Sequence, residues 1–156
     1  MSAIDTRLAE LGITLPTPAT PVANYVSFVQ SGSLLVISGQ LPLQGDGTLA
    51  AQHKGKVGAD VDPEAAAEAA RLAAINVLAQ AQAAVGDLSR IVRVVRLGGF
   101  INVASGFTAI APVMNGASDL VVAVLGDAGR HARSTVGVAE LPLGAAVEVE
   151  AIFEVA

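Results

Sequence analysis

Residues 147–155 alternate more strictly than any other stretch of the chain. Val147, Val149, Ala151, Phe153 and Val155 fall on one side, and Glu148, Glu150, Ile152 and Glu154 on the other. A period of two with one apolar side is the pattern of a strand that buries one face. Residues 62–86 follow a different rule. Asp62-Pro63-Glu64 opens a helix, with Asp62 as N-cap, Pro63 at the first helical position and acid in the first turn. Leu72, Ile75, Leu78 and Val85 recur near one face, alanine fills much of the rest, and Gly86 stands where a helix ends. Alanine favours helix and lets it lie close to its support, and a sheet is the expected support.

The remaining elements have weaker patterns. Ser2–Gly12 predicts a short helix capped by Asp5, with Leu8 and Leu11 as its apolar side and Gly12 at its end. Pro16, Pro18 and Pro21 make an extended connector. Tyr25–Gln30 and Leu34–Ser38, joined by Ser31-Gly32-Ser33, predict a β-hairpin. Residues 39–61 are rich in glycine and polar groups, and such a long irregular stretch is often functional. Ile91–Val103 is dense in β-branched residues and predicts a long strand, bent or bulged at Gly98-Gly99. Pro112–Leu125 predicts a helix with Pro112 at its first position, Ser134–Leu141 a strand, and Pro142–Gly144 a turn.

The order is therefore β-β-α-β-α-β-β behind a short N-terminal helix. Two helices and one sheet make a two-layer α+β domain. The chain has 156 residues, one domain's worth, with residues 1–20 as helix and connector. The helices can cover only one face of the sheet, so the other needs a cover or must be polar.

Composition sharpens that question. Hydrophobic residues make up 53% and charged residues only 15%, against about 25% charged in ordinary soluble domains. Apolar surface must go into a membrane or into a partner subunit. The best candidate span, Ala109–Leu125, is interrupted by Pro112, Asn115 and Asp119, and the N-terminus carries Asp5, Arg7 and Glu10 in place of an apolar leader segment. No membrane role is expected, and contact between subunits is the remaining outlet.

There is no cysteine, which excludes disulfides, thiolate metal sites and a thiol nucleophile, and a cytoplasmic location is the expectation. The net charge is −5 and the nine basic residues are scattered. With one tyrosine, four phenylalanines and no tryptophan, few rings can stack on bases, so nucleic acid is not the expected partner. No phosphate-binding loop, dinucleotide fingerprint or nucleophile elbow occurs. His53 and His131 lack metal-ligand spacing, and no metal is expected.

The segment richest in chemistry is His131-Ala-Arg133-Ser-Thr-Val-Gly-Val-Ala-Glu140-Leu-Pro142, followed by Val147–Ile152 with Glu148 and Glu150. An arginine directly before a strand can hold a carboxylate through two parallel hydrogen bonds. A glutamate on an adjacent strand can polarise a water. The same residues could equally be exposed charges with no specific work, since isolated surface charges contribute little.

The stretch ARSTVGVAELPLGAAVEVEAIFEV resembles the C-terminal signature of the Rid family, also called YjgF-type: an arginine, a small residue, Cys or Thr, a hydrophobic strand, a Leu-Pro turn and a strand of the V-E-[IV]-E-A kind. The hairpin opened by Tyr25 and closed by Ile37-Ser38-Gly39-Gln40 is similar to the family's N-terminal hairpin. Gly86-Asp87-Leu88 and Val113-Met-Asn115-Gly-Ala resemble its middle elements. The likeness covers roughly residues 21–155.

The resemblance implies a chorismate-mutase-like fold, a homotrimer, and clefts between subunits. It implies hydrolysis of reactive enamines and imines, such as 2-aminoacrylate, to 2-keto acids and ammonia, with no metal or organic cofactor. By the same resemblance Arg133 is the carboxylate-binding arginine and Glu148 serves the water or proton transfer. Thr135 takes the position whose backbone lines the pocket, and Tyr25, Ser38 and Asn115 are substrate-binding positions. The N-terminal helix and the longer segment 40–62 depart from typical members and mark a divergent subgroup. Two other classes remain open: an endoribonuclease or translation inhibitor, which the acidic charge disfavours, and a non-catalytic binder of a carboxylate metabolite.

Overall fold

The alternating segment at the end of the chain, β5 (Val147–Val155), lies at the middle of a five-stranded sheet. The computed structural model describes residues 1–156. With β1 (Phe28–Ser31), β2 (Leu34–Gln40), β3 (Ile91–Asn102) and β4 (Ala132–Val138), the strand order is β1-β2-β5-β3-β4. All neighbours are antiparallel except β3 and β4, which run parallel. That parallel pair needs a crossover, supplied by α3 (Ile110–Leu125). The longer helix α2 (Pro63–Val85) and the short α1 (Ala3–Glu10) complete the chain. The element order and the two-layer α+β class are as the sequence predicts.

Both main helices cover the same face of the sheet. Val147, Val149, Ala151, Phe153 and Val155 are all buried beneath them. Truncating a fully buried phenylalanine such as Phe153 to alanine costs about 3–5 kcal/mol in general. Asp62 caps α2 by accepting a hydrogen bond from the Ala65 amide at 2.8 Å, an interaction of about 1 kcal/mol. Alanines 66, 69, 70, 73, 74, 79 and 81 are buried along α2, which is why so little of its buried side is large. The apolar helix α3 has the length and composition of a membrane span when its following turn is included. Val113, Met114, Ala117, Leu120 and Val121 of α3 are nonetheless buried in the core it shares with α2 and the sheet.

Several boundaries differ from expectation. Ser2 caps α1, and Asp5 sits three residues inside, returning a bond to the Ser2 amide in a capping box. Leu11 is exposed, and the helix is anchored by the buried Leu8 with the partly buried Ile4 beside it. Tyr25 lies ahead of β1, because pairing with β2 starts only at Phe28↔Ile37. The register shifts of β3 fall between Ile91 and Arg93 and between Val94 and Arg96, not at Gly98-Gly99. Those glycines answer a different demand: a Cβ on Gly98 would overlap Glu150, and one on Gly99 would overlap Met114. Pro112 is the third residue of α3, still inside the turn where its missing N–H has no intrahelical duty. β4 begins at Ala132, so Arg133 lies inside the strand rather than before it.

The segment between β2 and α2 is tied down. Asn76 of α2 donates to the Leu41 and Leu43 carbonyls at 2.9 and 3.0 Å. The Val57 amide bonds the Asn102 carbonyl at 2.7 Å, and Val57 is buried. The proline-rich connector is held similarly, by Gln80 donating to the Ala19 carbonyl at 2.8 Å.

Candidate functional site

Arg133 pairs in register with Leu97, and Leu97 with the buried Ala151. Side chains of registered neighbours share a face, so Arg133 belongs to the helix-covered face at the sheet's β4 edge. There its Nη1 donates to Asn115 Oδ1 at 2.8 Å and to Ser118 Oγ at 3.1 Å, both on α3. Residues three apart on a helix are neighbours, so Asn115 and Ser118 form one receptor for one nitrogen. Ser118 Oγ is also 2.9 Å from His131 Nε2, and His131 Nδ1 is 2.6 Å from the Gly129 carbonyl. No carboxylate of the chain pairs with Arg133. Thr135 follows on the same face, in register with Gly99, and its Oγ1 is buried without a hydrogen-bond partner.

Glu148 belongs to the opposite face. It pairs with Phe100, which pairs with the exposed Val136. It is half-buried and makes no ion pair or side-chain hydrogen bond, whereas its neighbour Glu150 is met by Arg96 at 3.2 Å. Burial pushes the Glu148 carboxyl above the usual carboxylate range, and the charge of Glu150 adds to that. Gly39 is what admits it. A Cβ at Gly39 would overlap the Glu148 carboxylate, so a larger residue there would push that side chain out of its present place. Gly39 stands in a bulge: Ile37 pairs with Ala151 and Gln40 with Val149, so Ser38 and Gly39 together face Glu150.

Beside that bulge opens a groove of about 390 Å³. The connector residues Ala19–Val22 form one wall, Leu41 and Leu43 another, and Pro142 and Leu143 a rim, with Tyr25, Ser38 and Gly39 inside it. Leu143 is the one non-glycine residue of the chain with positive φ, at 59°, the kind of backbone strain that gathers at functional sites. Ser38 Oγ donates to the Val26 carbonyl at 2.7 Å, which draws the chain carrying Tyr25 over the groove. Tyr25 itself is 60% exposed.

The six sequence-predicted positions thus fall into two groups. Arg133, Asn115 and Thr135 gather at the β4–α3 edge, and Tyr25, Ser38 and Glu148 gather on the open face near the groove. One chain does not bring Arg133 and Glu148 together. Ser118, His131, Gly39 and Leu143 escaped the sequence reading as site residues. The spacing of Asn115 and Ser118 on one helix, and of His131, just before β4, two residues ahead of Arg133, was the available signal.

The fold is thus a two-layer α+β domain with an arginine that meets no carboxylate on its edge strand and an unpaired, partly buried glutamate on its open face. Residues 5–155 match the family described as "YjgF/chorismate_mutase-like, putative endoribonuclease", and the chain belongs to this Rid/YjgF family. It is 50% identical over 149 residues to Protein TCP17 of Trypanosoma cruzi, covering 95% of this chain and 91% of that protein. A Shewanella oneidensis protein carrying the same endoribonuclease label superposes with a TM-score of 0.94 at 35% identity, over 99% of this chain and 100% of the other. The Escherichia coli protein TdcF with bound serine gives a TM-score of 0.64 at 26% identity, over 92% and 96% of the two chains. The Shewanella match takes in the N-terminal helix and the long segment before α2, so both departures from the shorter fold are shared with a relative.

Proposed function

We propose that the chain is a hydrolytic deaminase of reactive enamines and imines derived from amino acids, acting at clefts between copies of itself in a homotrimer. The observation that carries this is the separation of Arg133 and Glu148 on opposite faces of one sheet. Each is half of a site: a cation with no anion, and an acid with no partner. A neighbouring copy that lays its β4 edge on this open face supplies the missing half to each. Val29, Leu34, Val36 and Val136 are exposed on or beside that face, which suits burial against a subunit better than contact with water. Serine bound to TdcF carries the same carboxylate and amino nitrogen as the intended substrates.

The chemistry needs little machinery. The substrate carboxylate rests on Arg133 of one copy, which orients the nitrogen-bearing carbon. Glu148 of the next copy, whose burial keeps its proton to higher pH than an exposed carboxyl would, donates that proton to the enamine carbon and leaves an iminium ion. The resulting carboxylate takes a proton from water as that water adds to the iminium carbon. Glu148, protonated again, gives that proton to the carbinolamine nitrogen, the C–N bond breaks, and the hydroxyl proton returns to the carboxylate, releasing ammonia and a 2-keto acid. Water is the only co-reactant.

An RNA-cleaving role finds less support. Arg96, Lys56 and Arg130 face Glu150, Glu140 and Asp127 within 4 Å, and the net charge is −5, which does not favour a phosphate backbone.

Mixed trimers test the reading. Arg133→Ala and Glu148→Gln chains, each inactive alone, should regain activity when unfolded and refolded together, because some clefts then join an intact arginine to an intact glutamate. Random assembly of equal amounts restores roughly a quarter of the clefts by symmetry. No regain in a mixture shown to exchange subunits would overturn the shared cleft, and no imine hydrolysis by the wild-type chain would overturn the reaction.

A further inference from the structure

We propose that His131 is a positioning residue which, through Ser118, locks the Arg133 guanidinium so that its Nε–Nη2 edge is the one offered to a substrate carboxylate. The inference rests on the reading of Arg133 as the carboxylate clamp and adds how that clamp is set.

A count of donors and acceptors leads to it. The Gly129 carbonyl can only accept, so His131 Nδ1, 2.6 Å away, carries a proton. In the neutral ring Nε2 is then an acceptor. Its neighbour at 2.9 Å is Ser118 Oγ, so the single Ser118 hydroxyl proton is directed to Nε2. The Ser118 lone pairs are thereby turned to Arg133 Nη1 at 3.1 Å, while Asn115 Oδ1 takes the other Nη1 proton at 2.8 Å. Both Nη1 protons are spent. Nε and the adjacent Nη2 proton make no hydrogen bond within the chain and form the fork that matches a carboxylate side-on. Without His131 the Ser118 hydroxyl could turn its proton toward the guanidinium, and one of the two restraints on Nη1 would become a repulsion.

The direction of the chain of bonds, from Arg133 to Ser118 to His131 to the Gly129 carbonyl, leaves no alternative for a neutral imidazole. It also specifies the tautomer with the proton on Nδ1, which a ring packed only for its shape would have no reason to hold.

The test uses the whole chain in three readouts. Nitrogen-15 NMR of the imidazole in mildly alkaline buffer should show the Nδ1–H tautomer; the Nε2–H tautomer would overturn the proposal. His131→Phe should raise KM for an imine substrate, and weaken binding of 2-oxobutanoate, by about tenfold with kcat nearly unchanged, the signature of lost uniform binding. His131→Gln, whose amide oxygen can accept from Ser118, should recover most of that loss. Ser118→Ala should match His131→Phe, and the double variant should lose little more than either, since the two act as one unit. Unchanged affinity in His131→Phe, additive losses, or no 2-oxobutanoate binding by the wild type would overturn the proposal. The tautomer and the affinities are read without turnover. A chain that binds the keto acid but hydrolyses nothing therefore overturns the reaction above and leaves His131 to these readings.

Discussion

Arg133 and Glu148 stand on opposite faces of the same sheet, two strands apart: Glu148 pairs with Phe100, Phe100 with Val136, and Arg133 lies on the far side of β4. No rotamer change brings them together within a chain. Function at this pair and association of copies are therefore one requirement.

Arg133→Lys keeps the charge and loses the fork. Two charge-assisted hydrogen bonds of about 1.5–3 kcal/mol each are at stake, so kcat/KM should fall on the order of 100-fold or more. Steady-state assays on a small amino-acid-derived imine check it, with the association state unchanged by light scattering.

Glu148→Gln should lose turnover by about 10²–10⁴-fold, the usual contribution of a positioned acid–base group, and should gain stability at neutral pH. The Glu148 carboxyl is raised in the folded chain by burial and then by Glu150. The folded state therefore holds this proton more tightly than the unfolded one. Stability from this group is present below the unfolded value and is lost as pH rises through the raised folded value. Urea titrations across the acid range should show the two proteins converge at low pH and the glutamine variant lead at high pH.

Gly39→Ala forces the Glu148 carboxylate to move, because the new methyl overlaps it. The obstacle is the mobile end of a side chain, so the fold should survive with a small loss of thermal stability. Misplacing a reacting group costs on the order of 100-fold in rate, and the same assay should show that loss in kcat.

His53 gives a second pH dependence, opposite in sign. It is 7% exposed and both ring nitrogens lack partners. Burial lowers its folded pKa, with the Glu68 charge opposing. Its contribution is present above the unfolded value and is lost as pH falls through the lowered folded value. His53→Leu, of similar size and with no polar atom to strand, should match or exceed the wild type at neutral pH and lose less stability on acidification. Denaturant midpoints at neutral and mildly acid pH check this.

Val136→Glu places a charge on the exposed face, across Phe100 from Glu148. Wild-type chains should scatter light as three times 15.6 kDa, and the variant as the single chain, with loss of turnover.

Elements with local causes were legible in the sequence. The alternation of β5, the Asp62-Pro63 start of α2 and its end at Gly86 depend on residues next to one another, and they stand where the pattern puts them. Elements set by distant contacts were not. Gly98 and Gly99 resemble a bend until Glu150 and Met114 are seen against them. Tyr25 reads as strand because its ring favours one, yet pairing with β2 begins three residues later. At the site, the motif led to Arg133 and Glu148, and the alternation of β5 already set Glu148 opposite Val147 and Val149, whereas the face of Arg133 follows from the β3–β4 register, which no local pattern encodes. Ser118 and His131 are marked in the sequence only by their spacing from Asn115 and Arg133; their contacts appear only when α3 packs against β4.

β5 is the last strand of the domain in chain order, yet it lies between β2 and β3. While the chain is being made, the first hairpin, both main helices and the parallel pair emerge with the centre of their sheet absent, so α2 can meet α3 and β2 but not β5. Closure is thus a late event that waits for residues 147–155 to leave the ribosome. Until then the domain is exposed to aggregation, and the strand that ends this exposure is the one that carries Glu148.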